Sequence, residues 1–392
     1  MSKSVIISAE RTAVGSFGGA LKEIPATELG RVVIESAIER AGVDREEVEE
    51  VIMGNVLGAG LGMNPARQSA IAAGIPDRVP SFTVNKVCGS GLKAVALAAQ
   101  AIAADDADLI VAGGMESMSR APYLLKEARW GYRLGHDEIV DSMLSEGLTC
   151  AMAGCHMGVT AENIVAKFLL SREAQDEFAA ESQRRAQAAI AAGRFNEEIG
   201  PVMVPQKKGE AVAFKVDEYP RPGTTVDKLA GLKPAFQKDG TVTAGNASGI
   251  NDGAAALVVA SEQRARLMEL APMAKIVSYA TAGVDPRYMG MGPVPAIERA
   301  LEKAGLALKD IDLFELNEAF AAQSLAVLKE LGLDSSRVNV NGGAIGLGHP
   351  IGASGARILV TLLYEMKRRD AHRGLAALCI GGGQGIAMVV QR

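Results

Sequence analysis

Two cysteines far apart in the chain each sit against glycines, a setting in which a thiol can work as nucleophile or base. Cys88 lies in Asn85-Lys86-Val87-Cys88-Gly89-Ser90-Gly91, just before an apolar stretch with helical spacing. Cys379 closes the apolar run Leu375-Ala376-Ala377-Leu378-Cys379-Ile380 and enters Gly381-Gly382-Gly383-Gln384-Gly385. Between them a histidine stands on a glycine-rich loop, Gly346-Leu347-Gly348-His349-Pro350. A thiolate nucleophile needs a base and a positive electrostatic setting, and a helix N-terminus provides part of the second. Two thiols and one imidazole on such turns suggest acyl transfer through a thioester, with the second thiol free to move another proton. A buried structural cysteine is the competing reading of each, because free Cys packs as a small hydrophobe.

These groups need a frame. From Leu92, apolar residues at 92, 95, 96, 99, 102 and 103 follow one helix face, and the opposite face holds few charges, so this helix is expected to be buried on most sides. Leu109-Ile110-Val111-Ala112 reads as a short buried strand ended by Gly113-Gly114. The sequence also repeats itself. Ala41-Gly42-Val43 and Val48–Met53 match Ala304-Gly305-Leu306 and Ile311–Leu316, and Ser90-Gly91-Leu92-Lys93 matches Ser354-Gly355-Ala356-Arg357 at the same offset to within one residue. An internal duplication follows, with helix and strand alternating in each half, which predicts a mixed sheet covered by helices. The region from about 120 to 245 breaks this pattern with charges, turn signals such as Tyr219-Pro220-Arg221-Pro222-Gly223, and most of the aromatics. It reads as an insertion in the first half, with one clear helix from Ser171, a plausible N-cap, to Ala192. Asp252–Ala260 then reads as the last strand of that half.

Bulk properties exclude several classes. The 392 residues are 48% hydrophobic and 22% charged, ordinary globular composition, and suffice for two or three domain-sized units. A net charge of −5 argues against a nucleic-acid partner. Four cysteines, Cys88, Cys150, Cys155 and Cys379, are too few for a disulfide framework in so long a chain and fit a reducing compartment. No Cys-x-x-Cys pair occurs and the four histidines are scattered, so no metal site is expected. No uncharged apolar run is long enough to span a membrane, and the first residues lack the pattern of a signal peptide.

The nucleophile turn, the Gly-His-Pro loop and the Cys-x-Gly-Gly-Gly-x-Gly end resemble the thiolase family. So do Gly113-Gly114-Met115-Glu116-Ser117-Met118-Ser119, Asn246–Ala256 and Asn317-Glu318-Ala319-Phe320, all in the family's order and covering essentially the whole chain. The resemblance implies an α/β fold, a five-layered αβαβα sandwich of two duplicated halves, each a helix-covered five-stranded sheet. Residues 1–120 with 246–270 would form the N-terminal half, 121–245 a loop domain covering coenzyme A, and 271–392 the C-terminal half. By the same resemblance, Cys88 accepts the acyl group. His349 activates it and binds the thioester carbonyl, with Asn317 completing that oxyanion hole through a held water. Cys379 moves the α-proton of the second substrate, and the N–H groups of Cys88 and Gly381 form a second oxyanion hole.

His156, Met157 and Met289 resemble residues of the acetyl-specific branch, which joins two acetyl-coenzyme A into acetoacetyl-coenzyme A and coenzyme A. The alternative is a degradative 3-ketoacyl-coenzyme A thiolase of broader chain length. Coenzyme A contacts carry over to Leu148, Arg221, Leu232, Ala235, Phe236, Ala244, Ser248, Ile250, Ala319 and Phe320. Lys228 replaces a small polar residue of the family, either meeting a phosphate or facing water, while Cys150 and Cys155 match no catalytic position. Resemblance further implies a cytoplasmic homotetramer, a dimer of dimers joined near residues 122–142, with no cofactor beyond the coenzyme A thioesters and no metal, nucleic-acid or membrane partner.

Overall fold

A computed structural model describes residues 3–392. The first half builds five main strands, β1 (Ser4–Arg11), β2 (Glu50–Gly54), β3 (Ser81–Val84), β4 (Leu109–Ser117) and β5 (Asn251–Ser261), and a two-residue strand at Gly15–Ser16 that pairs with β5. The second builds four: β6 (Ala274–Gly283), β7 (Leu313–Leu316), β8 (Arg373–Ile380) and β9 (Gln384–Gln391). Their spatial orders are β1-β5-β4-β2-β3 and β6-β9-β8-β7, one topology used twice. In place of a fifth strand, the second half has a single parallel bridge between Phe314 and Val338. The two sheets are also joined by a short antiparallel contact, Val5 with Lys275 and Ile6 with Ala274, which makes them formally continuous.

The longer helices are α1 (Ala26–Ala41), α2 (Pro65–Ala72), α3 (Ser90–Ala103), α4 (Met157–Phe168), α5 (Arg172–Ala191), α6 (Pro293–Ala304), α7 (Ala321–Leu331) and α8 (Ser354–Arg369). The middle layer is α3 and α8. Leu92, Val95 and Ile102 of α3 and Ile358, Leu359 and Leu362 of α8 share one core with residues from both sheets. Outside the first sheet lie α1 and α2, and outside the second lie α6 and α7. Strands β1, β4, β5, β8 and β9 are therefore covered on both faces along nearly all their length, while the edge strand β3 stays partly exposed. On β5, Leu257 and Val259 face the middle layer while Ala256 and Val258 face α1, which explains its continuous apolar run. At the centre the two helices cross backbone to backbone. A Cβ on Gly91 would lie 2.8 Å from the Ala356 nitrogen, and one on Gly355 would lie 2.8 Å from Leu92 Cβ and closer still to the Leu92 nitrogen.

The course of β4 also departs from the sequence reading. β4 does not stop at Gly113-Gly114 but runs through to Ser117. The glycines serve close approach instead, since a Cβ on Gly113 would collide with the Ala255 carbonyl of β5 and one on Gly114 with the Gly352 carbonyl. β4 and β5 pair along their length, and the chain between them, residues 118–250, leaves the sheet. That segment carries the helix expected after Ser171, whose Oγ accepts the Ala174 N–H at 3.1 Å. It also carries α4, which the sequence reading did not separate out. A buried cation ties the segment to β1: Arg11 donates through Nε to Glu198 at 2.6 Å and through both terminal nitrogens to Asp217 at 2.7 and 2.9 Å. Removing one partner of such a pair costs about 3–5 kcal/mol, because the other charge is left buried and unpaired. Among the described residues, no helix is long and apolar enough to cross a membrane.

Candidate active site

The nucleophile turn is built from its own polar groups. Ser90 Oγ donates to the Val87 carbonyl at 2.7 Å and accepts the Lys86 N–H at 2.8 Å, while Asn85 Oδ1 accepts the Val87 N–H at 3.0 Å. They hold Val87 at φ 47°, a left-handed conformation that costs a β-branched residue about 1–3 kcal/mol. Cys88 follows, two residues before α3 begins.

His349 is fixed at backbone and ring. Its N–H donates to Asn251 Oδ1 at 2.8 Å, and Asn251 Nδ2 donates to the Gly15 carbonyl at 3.0 Å. Its Nδ1 lies 2.6 Å from Ser354 Oγ, whose hydroxyl donates to the Pro350 carbonyl at 2.9 Å. With that proton committed, Ser354 accepts from Nδ1–H, and Nε2 keeps its lone pair. Asn317 Nδ2 stands 3.4 Å from Nε2, and Asn317 Oδ1 is buried without a protein partner. A buried carboxylate braces this loop. Glu116 accepts the N–H of Gly352 at 2.9 Å and those of Val56 and Leu57 at 3.1 and 3.2 Å, with Asn55 Nδ2 at 2.9 Å.

Cys379, the last residue but one of β8, lies in an apolar cluster with Met157, Met289, Ala319, Phe320 and Cys150. The loop after it reaches Cys88. The backbone N–H groups of Gly381 and of Cys88 itself act on the Cys88 sulfur electrostatically, in the direction that favours its thiolate. Burial nevertheless pushes the Cys88 thiol up to about 11, with those two donors pulling the other way and Glu116 adding to the rise. This reverses the expectation of a thiol activated by its helix start, because desolvation of the thiolate outweighs the nearby N–H dipoles. Burial, and then the neighbouring Cys88, also raises Cys379. His349 is pushed down to about 3, chiefly by burial and then by the Arg357 guanidinium. At neutral pH all three groups therefore rest uncharged, and any attack by the Cys88 sulfur would require its deprotonation at the same time.

A cavity of about 730 Å³ leads to this cluster. Leu148, His156, Met157, Arg221, Ala235, Phe236, Ala244, Ser248, Ile250, Phe320 and His349 line it. His156 caps α4, with Nδ1 accepting the Gly158 N–H at 3.0 Å, and its ring stacks on Phe236 at 4.8 Å. Phe236 meets Phe320 edge-on at 6.1 Å. Burial lowers the His156 pKa, so this ring too is neutral. Met289 and Ala319 pack beside Cys379. Leu232 lies apart from the main cavity, on an adjoining depression of about 190 Å³ that it shares with Arg221, Ala244 and Lys228. Lys228 Nζ donates to the Gly223 carbonyl at 2.7 Å. A separate cleft of about 710 Å³ at the junction of the halves, between Met273 and Tyr364, holds no thiol or imidazole. Among the described residues, no three His, Cys, Asp or Glu side chains are grouped to hold a metal ion.

The family model for the thiolase N-terminal domain matches residues 4–263, and that for the C-terminal domain matches residues 270–392. The chain belongs to the thiolase family. Curated relatives of this thiolase include the acetyl-CoA acetyltransferases of Cupriavidus necator, 62% identical over 392 residues, and Escherichia coli, 62% identical over 393, each covering 100% of both chains. A probable acetyl-CoA acyltransferase of Staphylococcus epidermidis is 56% identical, covering 100% of this chain and 99% of its own. The crystal structure of the Bacillus anthracis acetyl-CoA acetyltransferase superposes with a TM-score of 0.98 at 49% identity, covering 100% of this chain and 99% of that one.

Several residues of this thiolase's site escaped the sequence reading. Phe17, Glu218 and Tyr219 line the cavity alongside the expected residues, yet the Tyr219 segment reads only as a turn. Ser354 orients the imidazole, and its signal was available: a small hydroxyl at a helix start, five residues after the histidine. Glu116 carried no such signal, because its partners come from two loops distant in sequence.

Proposed function

We propose that this thiolase is an acetyl-CoA C-acetyltransferase, joining two acetyl-coenzyme A molecules into acetoacetyl-coenzyme A and free coenzyme A, and running the reverse. The observation that carries the reading is the placement of Cys379 beside Cys88 at an apolar end walled by Met157, Met289 and Phe320, with His349 lining the cavity that leads there. The names of the relatives support it.

In the first step the Cys88 sulfur attacks the thioester carbonyl as its proton passes to His349 Nε2. The coenzyme A thiolate then leaves and takes that proton. In the second step Cys379, giving its own thiol proton to His349, removes the α-proton of another acetyl-coenzyme A; the resulting carbanion attacks the Cys88 thioester, the carbon–sulfur bond breaks, and the Cys88 sulfur leaves with the proton from His349. Each oxyanion donor, when well placed, lowers the barrier by roughly 3–4 kcal/mol. No group beyond the coenzyme A thioesters takes part in this scheme.

The proposed assembly is a cytoplasmic homotetramer. Its support is a short segment that exposes Tyr123, Leu125, Trp130, Tyr132, Leu134 and Ile139, an apolar patch of the kind that subunit contacts cover.

Two measurements test the function. Incubation with acetyl-coenzyme A should place one acetyl group on Cys88, and Cys88→Ala should remove it; an acetyl on another cysteine, or none, overturns the assignment. Thiolysis kcat/KM should be high for acetoacetyl-coenzyme A and fall for longer 3-ketoacyl chains, whereas a steady rise with length would make the protein a degradative thiolase.

A further inference from the structure

A second pair of cysteines, outside the proposed reaction, stands beside the site. Cys150 and Cys155 face each other directly on a short antiparallel hairpin, flanked by the pair Thr149 and His156. The tip is closed by the Gly154 N–H donating to the Cys150 carbonyl at 2.8 Å. Residues opposed in this way project to the same side with Cα atoms about 4.5–5.5 Å apart. That lies within the roughly 4.4–6.8 Å that a disulfide spans. The Ala153 N–H donates to Cys150 Sγ at 3.3 Å and holds the sulfur over the turn. Cys155 is partly exposed, while Cys150 is buried against the cluster that holds Met157 and Cys379. One reachable thiol facing one sheltered thiol is the layout of an oxidisable pair.

The hairpin is connected to the catalytic groups at three points. Leu148 precedes it and His156 ends it, and both line the cavity. Met152, at its tip, rests on the catalytic loop, since a Cβ on Gly382 would come 2.6 Å from Met152 Cε.

We propose that Cys150 and Cys155 form a disulfide when this protein meets a hydroperoxide, locking the hairpin over the Gly381–Gly383 loop. The Cys155 thiolate attacks a peroxide oxygen, the O–O bond breaks, and a water leaves, giving a sulfenic acid. The Cys150 sulfur then displaces the sulfenic oxygen as a second water. The two thiols lose two protons and one electron pair, and these reduce hydrogen peroxide to two waters. Burial, and then Cys150, raises the Cys155 thiol, so the reaction quickens as pH rises.

The test treats the full chain with hydrogen peroxide at mildly alkaline pH, alkylates the remaining thiols, and digests with trypsin without reduction. Leu134–Lys167 is a single tryptic peptide that carries both cysteines and neither Cys88 nor Cys379. Its mass should fall by two hydrogens, it should resist alkylation, and dithiothreitol should reverse both effects. In Cys155→Ser the peptide should show no such loss, and Cys150 should alkylate after denaturation. Two alkylated cysteines in the wild-type peptide, or separate sulfinic acids without a disulfide, overturn the proposal. Amide exchange over residues 149–156 should slow in the oxidised protein; unchanged exchange would overturn the locking of the hairpin.

Discussion

Gly355→Ala should separate the two halves at the point where they share the chemistry. The added methyl would sit 2.8 Å from Leu92 Cβ and 3.1 Å from Leu92 Cα, with the Leu92 nitrogen closer still. Favourable contact between such atoms needs about 3.5–4.0 Å, so α3 and α8 must part by roughly 1 Å. The nearest obstacle is backbone, and no side chain can rotate away. Overpacking of this kind costs about 1–3 kcal/mol, against which alanine regains at most about 1 kcal/mol as a better helix former. A net loss of roughly 1–2 kcal/mol should lower the urea midpoint.

The kinetic effect should exceed the effect on stability. Cys88 lies two residues before α3, and His349 is held by Ser354 at the start of α8, so parting the helices draws the sulfur from the imidazole. A displacement of about 1 Å costs on the order of 100-fold in rate. Single-turnover acetylation of Cys88 should fall by about 10- to 100-fold, while coenzyme A binding persists. Gly91→Ala, whose nearest obstacle is the Ala356 nitrogen at 2.8 Å, should behave similarly but more mildly. A Gly355→Ala protein with wild-type stability and wild-type acetylation would refute the claim that this crossing sets the catalytic distance.

Cys379→Ser should preserve acetyl transfer to Cys88 better than condensation, because only the second step uses that proton carrier; equal loss in single-turnover acetylation and steady-state thiolysis would mean that Cys379 tunes Cys88 instead. His349 is held well below the ordinary histidine value of 6.5, so the acetylation rate should show no inflection near that pH and stay level down to about pH 5; a fall centred near 6.5 would contradict the burial argument. The same depression means that His349 favours the folded state fully above about 6.5 and loses that contribution as pH falls toward about 3. Deleting residues 122–142 should leave a dimer by light scattering, and a persisting tetramer would place the contact elsewhere.

Much of the frame could be read from the sequence because the central helices and the inner strands are buried on both sides. Unbroken apolar runs and repeated Ser-Gly pairs then mark the elements directly. The candidate site stood out for a related reason: Cys88, His349 and Cys379 each stand beside glycines, and Gly348, Gly382 and Gly383 take the positive φ that their turns require. What stayed hidden depends on distance in space. Gly113-Gly114 looks like the end of a strand, and only the Ala255 carbonyl across the sheet shows why side chains are missing there. α4 follows directly from the cap at His156 with no loop to announce it. The direction of the Cys88 shift was missed because a local helix start is visible in the sequence, whereas the desolvation that overrides it comes from the whole fold.

The paired topology has an evolutionary consequence. Gly91 and Gly355 are counterparts, as are Ser90 and Ser354, so counting back two residues sets Cys88 opposite Gly352. In one half this position carries the sulfur proposed to take the acyl group; in the other it offers only a backbone N–H, which anchors the Glu116 carboxylate. A dimer of identical halves must repeat every choice at both positions. Joining the halves in one chain frees each position to specialise, so that one turn can become reactive while its twin becomes a brace. Neither half then holds a complete reaction centre, and selection must act on the pair as a single unit.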